Sequence, residues 1–255
     1  MTKHVRFSLD AEVPPTIPDG SGKVIYGTLE GNVIQAGGAT YKLADVRLLP
    51  PCSPTKIVCV GRNYADHAKE MGNAIPTEPL IFMKPPSSLN AHGDDVVYPD
   101  LTNSISYEGE LGVIIGKRAF HIDKDNWEQY VLGYTMVNDV TARDLQKKDG
   151  QWTRGKGFDT FCPTGPWMVK REEVDLKALR VTSFVNGEKR QDAPVTDMIF
   201  DLPTVLHYVT QFMTLEPGDL IATGTPPGVG VVEPGALLCV EIAGIGALEN
   251  RLVKK

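Results

Sequence analysis

Short runs in which hydrophobic and polar positions alternate with a period of two open this chain, short apolar runs follow, and few windows carry the 3.6-residue period of a helix. In the first fifty residues the alternating runs are short: Val5-Arg6-Phe7-Ser8-Leu9, Val24-Ile25-Tyr26 and Asn32-Val33-Ile34, separated by Gly20, Gly22, Gly27, Gly31 and Gly37-Gly38. Runs of this kind bounded by glycine predict strands joined by tight turns. The stretch closes with Leu48-Leu49-Pro50-Pro51-Cys52-Ser53-Pro54, a proline-stiffened linker. Residues 1–52 are therefore expected to form a small β appendage, with no cluster of acids and bases that would carry chemistry.

Beyond Lys56 the pattern changes. Ile57-Val58-Cys59-Val60 reads as a buried strand ended by Gly61. Asn63 is placed to cap a short helix over Tyr64–Met71, which Gly72 would stop. Further strands are predicted over Pro79–Lys84, Glu108–Ile115, Gly133–Asp139, Asp219–Thr223 and Leu237–Ile242, and a short helix over Asn126–Val131. Val181–Val185 followed by Asn186-Gly187 is a hairpin signal, and Leu202–Phe212 has the clearest amphipathic helical period. Strands outnumber helices and no regular β-α alternation appears, which predicts a mixed, β-rich α+β fold with its main domain over residues 53–255.

Composition narrows the function classes. The 255 residues include 42% hydrophobic and 23% charged residues, the balance of a globular protein, and no apolar run is long enough for a bilayer span. The net charge is -6, and no basic run, Lys147-Lys148 and Lys254-Lys255 included, exceeds two residues, which argues against nucleic acid as a partner. The N-terminus lacks the apolar stretch of a secretion signal, so a cytoplasmic location without membrane attachment is expected. Cys52, Cys59, Cys162 and Cys239 are scattered without metal-ligand spacing and read as reduced thiols. Cys162, in a Gly/Pro-rich stretch, has no histidine near it in sequence to activate it.

Candidate chemistry gathers in five places. In Tyr107-Glu108-Gly109-Glu110-Leu111-Gly112, the two glutamates lie two apart and share one face of a strand, while Leu111, Val113 and Ile115 face the core. For such a pair a solvated strand face is the ordinary outcome; burial of both would require a cation. Asp139 ends an apolar strand. It serves equally as a turn aspartate or as a third hard oxygen ligand, in which case the trio suits Mg²⁺ or Mn²⁺ better than zinc. His67 and Glu70 are three apart on a helix, either an exposed pair or a carboxylate-supported general base. Lys156, flanked by Gly155 and Gly157, sits in an expected loop, either solvated or opposite an anionic substrate. Thr223-Gly224-Thr225-Pro226-Pro227-Gly228 has neither the P-loop nor the dinucleotide fingerprint, and fits a strand running into a turn that offers Thr225 and N–H groups to a small anion.

Taken together, Gly61-Arg62-Asn63-Tyr64 with His67 and Glu70, Leu80–Lys84-Pro85, the Glu108/Glu110 strand, Asn138-Asp139-Val140-Thr141-Ala142-Arg143-Asp144, Trp152-Thr153-Arg154-Gly155-Lys156 and Thr223–Gly228 resemble the fumarylacetoacetate hydrolase superfamily, from about residue 56 to the C-terminus. The resemblance implies a mixed β-roll assembled as a homodimer, with Glu108, Glu110 and Asp139 binding Mg²⁺ or Mn²⁺. It implies an acid/base dyad of His67 and Glu70 on a lid-like helix, and a role for Lys156 in catalysis. Arg62, Lys84, Gln146 and Thr225 are implied as substrate contacts. The activity implied is cleavage of a small 2-oxo acid through an enolate, by an acylpyruvate hydrolase or an oxaloacetate decarboxylase. Diene-dioate isomerase, the related tricarboxylate decarboxylase, oxaloacetate tautomerase and a non-catalytic 2-oxo acid sensor are the alternatives.

Overall fold

A computed structural model describes all residues except Met71, Asn73 and Lys255. Twelve strands form one large sheet; its main path runs Ala39–Lys42, Val33–Ala36, Ile25–Glu30, Lys3–Ser8, Cys162–Lys170, Val131–Asn138, Gly109–Ile115, Leu220–Ala222, Ile57–Gly61 and Leu80–Lys84. A five-stranded and a three-stranded sheet complete a β-rich α+β fold with short helices. Antiparallel pairing dominates, but Leu220–Ala222 runs parallel to Ile57–Gly61, and Gly246–Lys254 parallel to Asp95–Tyr98.

The centre of the large sheet is buried on both faces. Every residue of Gly109–Ile115 is buried, and Leu111, Val113 and Ile115 enter a core with Tyr134, Met136 and Val169. The helix Leu202–Thr210 covers this core with Val205, Leu206 and Val209, spaced as a helical stripe requires. Its first turn is capped by Asp201, whose carboxylate accepts from the Thr204 amide at 3.0 Å. The helix ends two residues earlier than the pattern predicts, leaving Phe212 exposed.

The short helix expected over Asn126–Val131 is a 3-10 helix, Lys124–Tyr130. Two expectations are corrected. The segment around Lys156 is not a loop: Thr153–Lys156 forms one α-helical turn. Asn63 does not cap the helix Ala65–Glu70. Its buried amide instead donates to Phe200 O at 3.0 Å and Thr223 O at 2.8 Å, and accepts from the Phe200 amide. The Gly/Pro-rich stretch holding Cys162 forms the nine-residue strand Cys162–Lys170. Proline removes ladder donors at two of its positions, and its pairing with Val131–Asn138 slips between Tyr134 and Met136. Met71, the expected end of the first helix, lies outside the described residues.

The N-terminal strands extend the large sheet. Lys3–Ser8 pairs with Ile25–Glu30 and Arg47–Leu49, and meets Cys162–Lys170 at His4 and Met168. Arg47 fixes this region to the rest of the chain through a two-pronged ion pair with Asp94, at 2.9 and 2.7 Å, while its Nε donates to Val13 O within the region. No helix among the described residues is long and apolar enough to cross a membrane.

Candidate active site

Strand register assembles the site. Gly109 pairs with Asn138, which brings Glu108 and Asp139 side by side; the Asp139 amide donates to Glu108 O at 2.8 Å, and the Glu108 amide to Asn138 Oδ1 at 2.9 Å. The alternation of the strand then returns Glu110 to the same face. One carboxylate oxygen from each of Glu108, Glu110 and Asp139 lies within 4.8 Å of the other two. All three residues are buried, at 5%, 2% and 0% exposure, so the glutamates do not form a solvated strand face.

Three buried carboxylates this close repel one another unless positive charge is supplied. Three cationic side chains supply part of it. Lys156 Nζ donates to Glu108 Oε2 at 2.7 Å and Asp139 Oδ2 at 2.6 Å. Lys84 Nζ donates to Asp139 Oδ1 at 2.6 Å and Val140 O at 3.1 Å, and Arg143 pairs with the remaining Glu108 oxygen. Burial pushes Glu108 toward its neutral form, but Arg143 and Lys156 outweigh it and hold the carboxyl well below the usual range. Burial likewise favours the neutral amine of Lys156, yet Asp139 and Glu108 raise it above the ordinary lysine value. Glu110 has no such partner. Burial first, then Asp139 and Glu108, push it well above a normal carboxylate, against one backbone bond from Gly224 at 2.8 Å. Three hard oxygens with residual like-charge repulsion fit a divalent cation such as Mg²⁺ or Mn²⁺, and the trio is the donor set that would hold it.

The helix Ala65–Glu70 carries His67 and Glu70 on one side. His67 is buried, and its Nδ1 lies 3.4 Å from Glu70 Oε2. Burial lowers the imidazole below its ordinary value, against the opposing pull of Glu108 and Glu70. Glu70 is held in turn by the Gly228 amide, 3.1 Å from both carboxylate oxygens. The turn Thr223–Gly228 thus spends its Gly224 and Gly228 amides on Glu110 and Glu70 rather than offering them to a free anion. Gly224 is required there: its φ is +100°, and an added Cβ would stand 2.6 Å from Asn63 Cβ and 3.0 Å from Val60 O.

A cavity of about 320 Å³ unites most of the expected residues. His67, Glu108, Glu110, Asp139 and Lys156 line it, as do Arg62, Gln146 and Thr225. The Thr225 hydroxyl is already engaged, donating to Gly109 O at 2.9 Å and accepting from Gln191 Nε2 at 2.7 Å. Gln146 accepts from Arg143 Nη1 at 3.0 Å. Lys84 and Glu70 are not on the wall: Lys84 is buried behind it and supports Asp139, whereas Glu70 is exposed and supports His67. Arg143, Lys147, Phe82 and Trp152 also line the cavity, although the sequence reading assigned none of them a role. Arg143 stood four residues after Asp139 in a recognised motif, and that offset was its only sequence signal.

Known proteins share this arrangement of chain. A family model for the fumarylacetoacetate (FAA) hydrolase C-terminal domain matches residues 56–253. An oxaloacetate tautomerase from Bacillus subtilis, YisK, is 43% identical over 231 residues, covering 86% of this chain and 77% of that protein. A mitochondrial oxaloacetate decarboxylase of Dictyostelium discoideum is 46% identical over 195 residues, 74% of this chain and 89% of its own length. The crystal structure of a fumarylpyruvate hydrolase from Pseudomonas aeruginosa, in complex with Mn²⁺ and pyruvate, superposes with a TM-score of 0.75 at 36% identity, over 80% of this chain and 91% of that one. The match extends over nearly the whole chain beyond the N-terminal strands, and the chain belongs to the fumarylacetoacetate hydrolase superfamily.

Proposed function

We propose that this protein is a divalent-metal-dependent enzyme acting on small 2-oxo acids through an enolate, as an acylpyruvate hydrolase that also decarboxylates oxaloacetate. The observation that carries the reading is the buried Glu108/Glu110/Asp139 trio opening onto a cavity that His67 also lines. Two relatives named for oxaloacetate chemistry, and a hydrolase structure holding Mn²⁺ and pyruvate, support the same substrate class.

When bound, Mg²⁺ or Mn²⁺ supplies Lewis acidity to the oxygens of a 2-oxo acid and offsets the charge of its enolate. The chain's own residues do the rest. Glu108, Glu110 and Asp139 would hold the ion, while Arg143 and Lys156 keep Glu108 ionised for it and Lys156 also pairs with Asp139. Glu70 accepts at His67 Nδ1, which leaves Nε2 as the imidazole atom that takes a proton from water in hydrolysis. Burial keeps that imidazole neutral near pH 7, the form a general base needs. Decarboxylation of oxaloacetate needs no activated water, so the same pocket serves it with less demand on the dyad.

A tautomerase is the second reading, favoured by the 43% identity to YisK. It moves a proton without breaking a carbon–carbon bond, and the dyad suffices for that. A sensor that only binds a 2-oxo acid has no use for a supported base, and the His67–Glu70 pair weighs against it. The homodimer the family resemblance implies is a proposal of the same standing, tested by sedimentation.

The test is an assay of acetylpyruvate and oxaloacetate with Mn²⁺ or Mg²⁺ and again in EDTA, following carbon–carbon cleavage and enol–keto exchange separately. Metal-dependent cleavage of either acid supports the proposal. Exchange without cleavage favours the tautomerase, whereas full activity in EDTA or none on any 2-oxo acid contradicts both.

A further inference from the structure

The glycine between the two glutamates has both of its backbone groups held by side chains. The Gly109 amide donates to Gln191 Oε1 at 2.9 Å, Gln191 Nε2 donates to Thr225 Oγ1 at 2.7 Å, and the Thr225 hydroxyl donates back to Gly109 O at 2.9 Å. These three bonds close a ring that runs in one sense, the arrangement in which hydrogen bonds polarise and strengthen one another. Gln191 is fully buried and lies off the cavity wall, whereas Thr225 is part of that wall.

Strand pairing puts Gln191 there. In the hairpin of Arg180–Val185 and Glu188–Pro194, Gln191 stands opposite Ser183, and the Ser183 hydroxyl closes on Gly109 where any Cβ would run into it. The same glutamine anchors the turn Thr223–Gly228, because Nε2 also donates to Pro226 O at 2.7 Å. That turn in its own right holds Glu110 and Glu70 through the Gly224 and Gly228 amides. One buried side chain therefore ties the strand of the glutamates to the turn that braces Glu110.

The direction of the ring is set by its fixed members. The Gly109 N–H only donates and the Pro226 carbonyl only accepts, so the Gln191 amide has a single orientation between them. Its remaining N–H points at Thr225 Oγ1, which must accept and so turns its one hydrogen to Gly109 O. Thr225 thus has no hydrogen left for the small anion its sequence context suggested. Any bond its hydroxyl makes in the cavity is one it accepts, from a hydroxyl of ligand or water.

We propose that Gln191 is a positioning residue for the acidic trio: through Gly109 and the turn it fixes the placement of Glu108 and Glu110, and it makes Thr225 a hydrogen-bond acceptor. This rests on the metal-dependent reading above. A glutamine with a structural role alone would support the fold and leave metal affinity untouched.

Two measurements test it. With glutamine side-chain nitrogens isotope-labelled, NMR of the metal-free wild type should show one NH₂ pair, missing in Gln191→Met, with both protons shifted downfield and slow to exchange. Thr225→Val should move one proton of that pair. Calorimetric titration with Mn²⁺ reads the positioning role. Gln191→Met, with its fold verified by circular dichroism, should bind Mn²⁺ about 10–100-fold more weakly than wild type. Thr225→Val breaks the same ring and should share part of that loss, and Thr225→Ser, which keeps the hydroxyl, should recover it; this comparison decides the matter if Gln191→Met does not fold. A lowered Tm with wild-type Mn²⁺ affinity in these variants, or a freely exchanging Gln191 amide, overturns the inference and leaves the metal-dependent reading standing. Failure of the wild type to bind Mn²⁺ overturns both.

Discussion

Lys84 and Asp139 form a fully buried ion pair, with Lys84 Nζ 2.6 Å from Asp139 Oδ1 and 3.1 Å from Val140 O. The pair lies behind the cavity wall, so the lysine acts by holding a carboxylate rather than by touching substrate. Replacing Lys84 with Met would leave Asp139 short of its partner in a dry setting, a loss of about 3–5 kcal/mol of stability. Chemical denaturation checks this. Saturating Mn²⁺ should restore part of the loss, because a cation at the trio re-neutralises Asp139.

In the proposed dyad Glu70 acts on substrate through His67, whose Nδ1 lies 3.4 Å from its Oε2. Glu70→Gln should lower hydrolysis of acetylpyruvate by about 10²–10⁴-fold, the usual yield of a general base. Decarboxylation of oxaloacetate, which needs no activated water, should fall much less. Parallel assays of the two reactions on one preparation show whether the effects separate.

The pH dependence follows from the burial of His67, which holds the imidazole below its ordinary value of 6.5. The base must be neutral, so kcat/KM for hydrolysis should be level through pH 7 and fall as pH drops below 6.5 through the His67 value. In Glu70→Gln the supporting bond is lost, and the remaining acid limb should move to lower pH. A limb above pH 6.5 would contradict this assignment.

Gly224 links the turn to the acidic trio, because its amide holds Glu110 Oε2 at 2.8 Å. Gly224→Ala would strain a φ of +100° and press on Asn63 and Val60. Mn²⁺ affinity should fall about 10–100-fold, as for other losses of a ligand's supporting bond, with a lower Tm measured alongside.

Much of the site was legible because it obeys local periods. Glu108 and Glu110 share a face by the period of two, and His67 and Glu70 by the helical step of three. The motif order carried the rest of the trio. What was hidden depends on contacts far apart in sequence: Arg143 reaches Glu108 across 35 positions, and Lys84 reaches Asp139 across 55. No strand was predicted over Cys162–Lys170, where Pro163, Gly165 and Pro166 interrupt the local pattern, yet pairing on both sides carries one there. Asn63 has the sequence of a helix cap, but the carbonyls of Phe200 and Thr223 outcompete the helix for its amide.

Calorimetric titration of metal-stripped protein with Mn²⁺ addresses the acidic trio itself. One ion should bind per wild-type chain, and Asp139→Ala, with its fold verified by circular dichroism, should bind none. Retention of full Mn²⁺ affinity by Asp139→Ala would contradict the account.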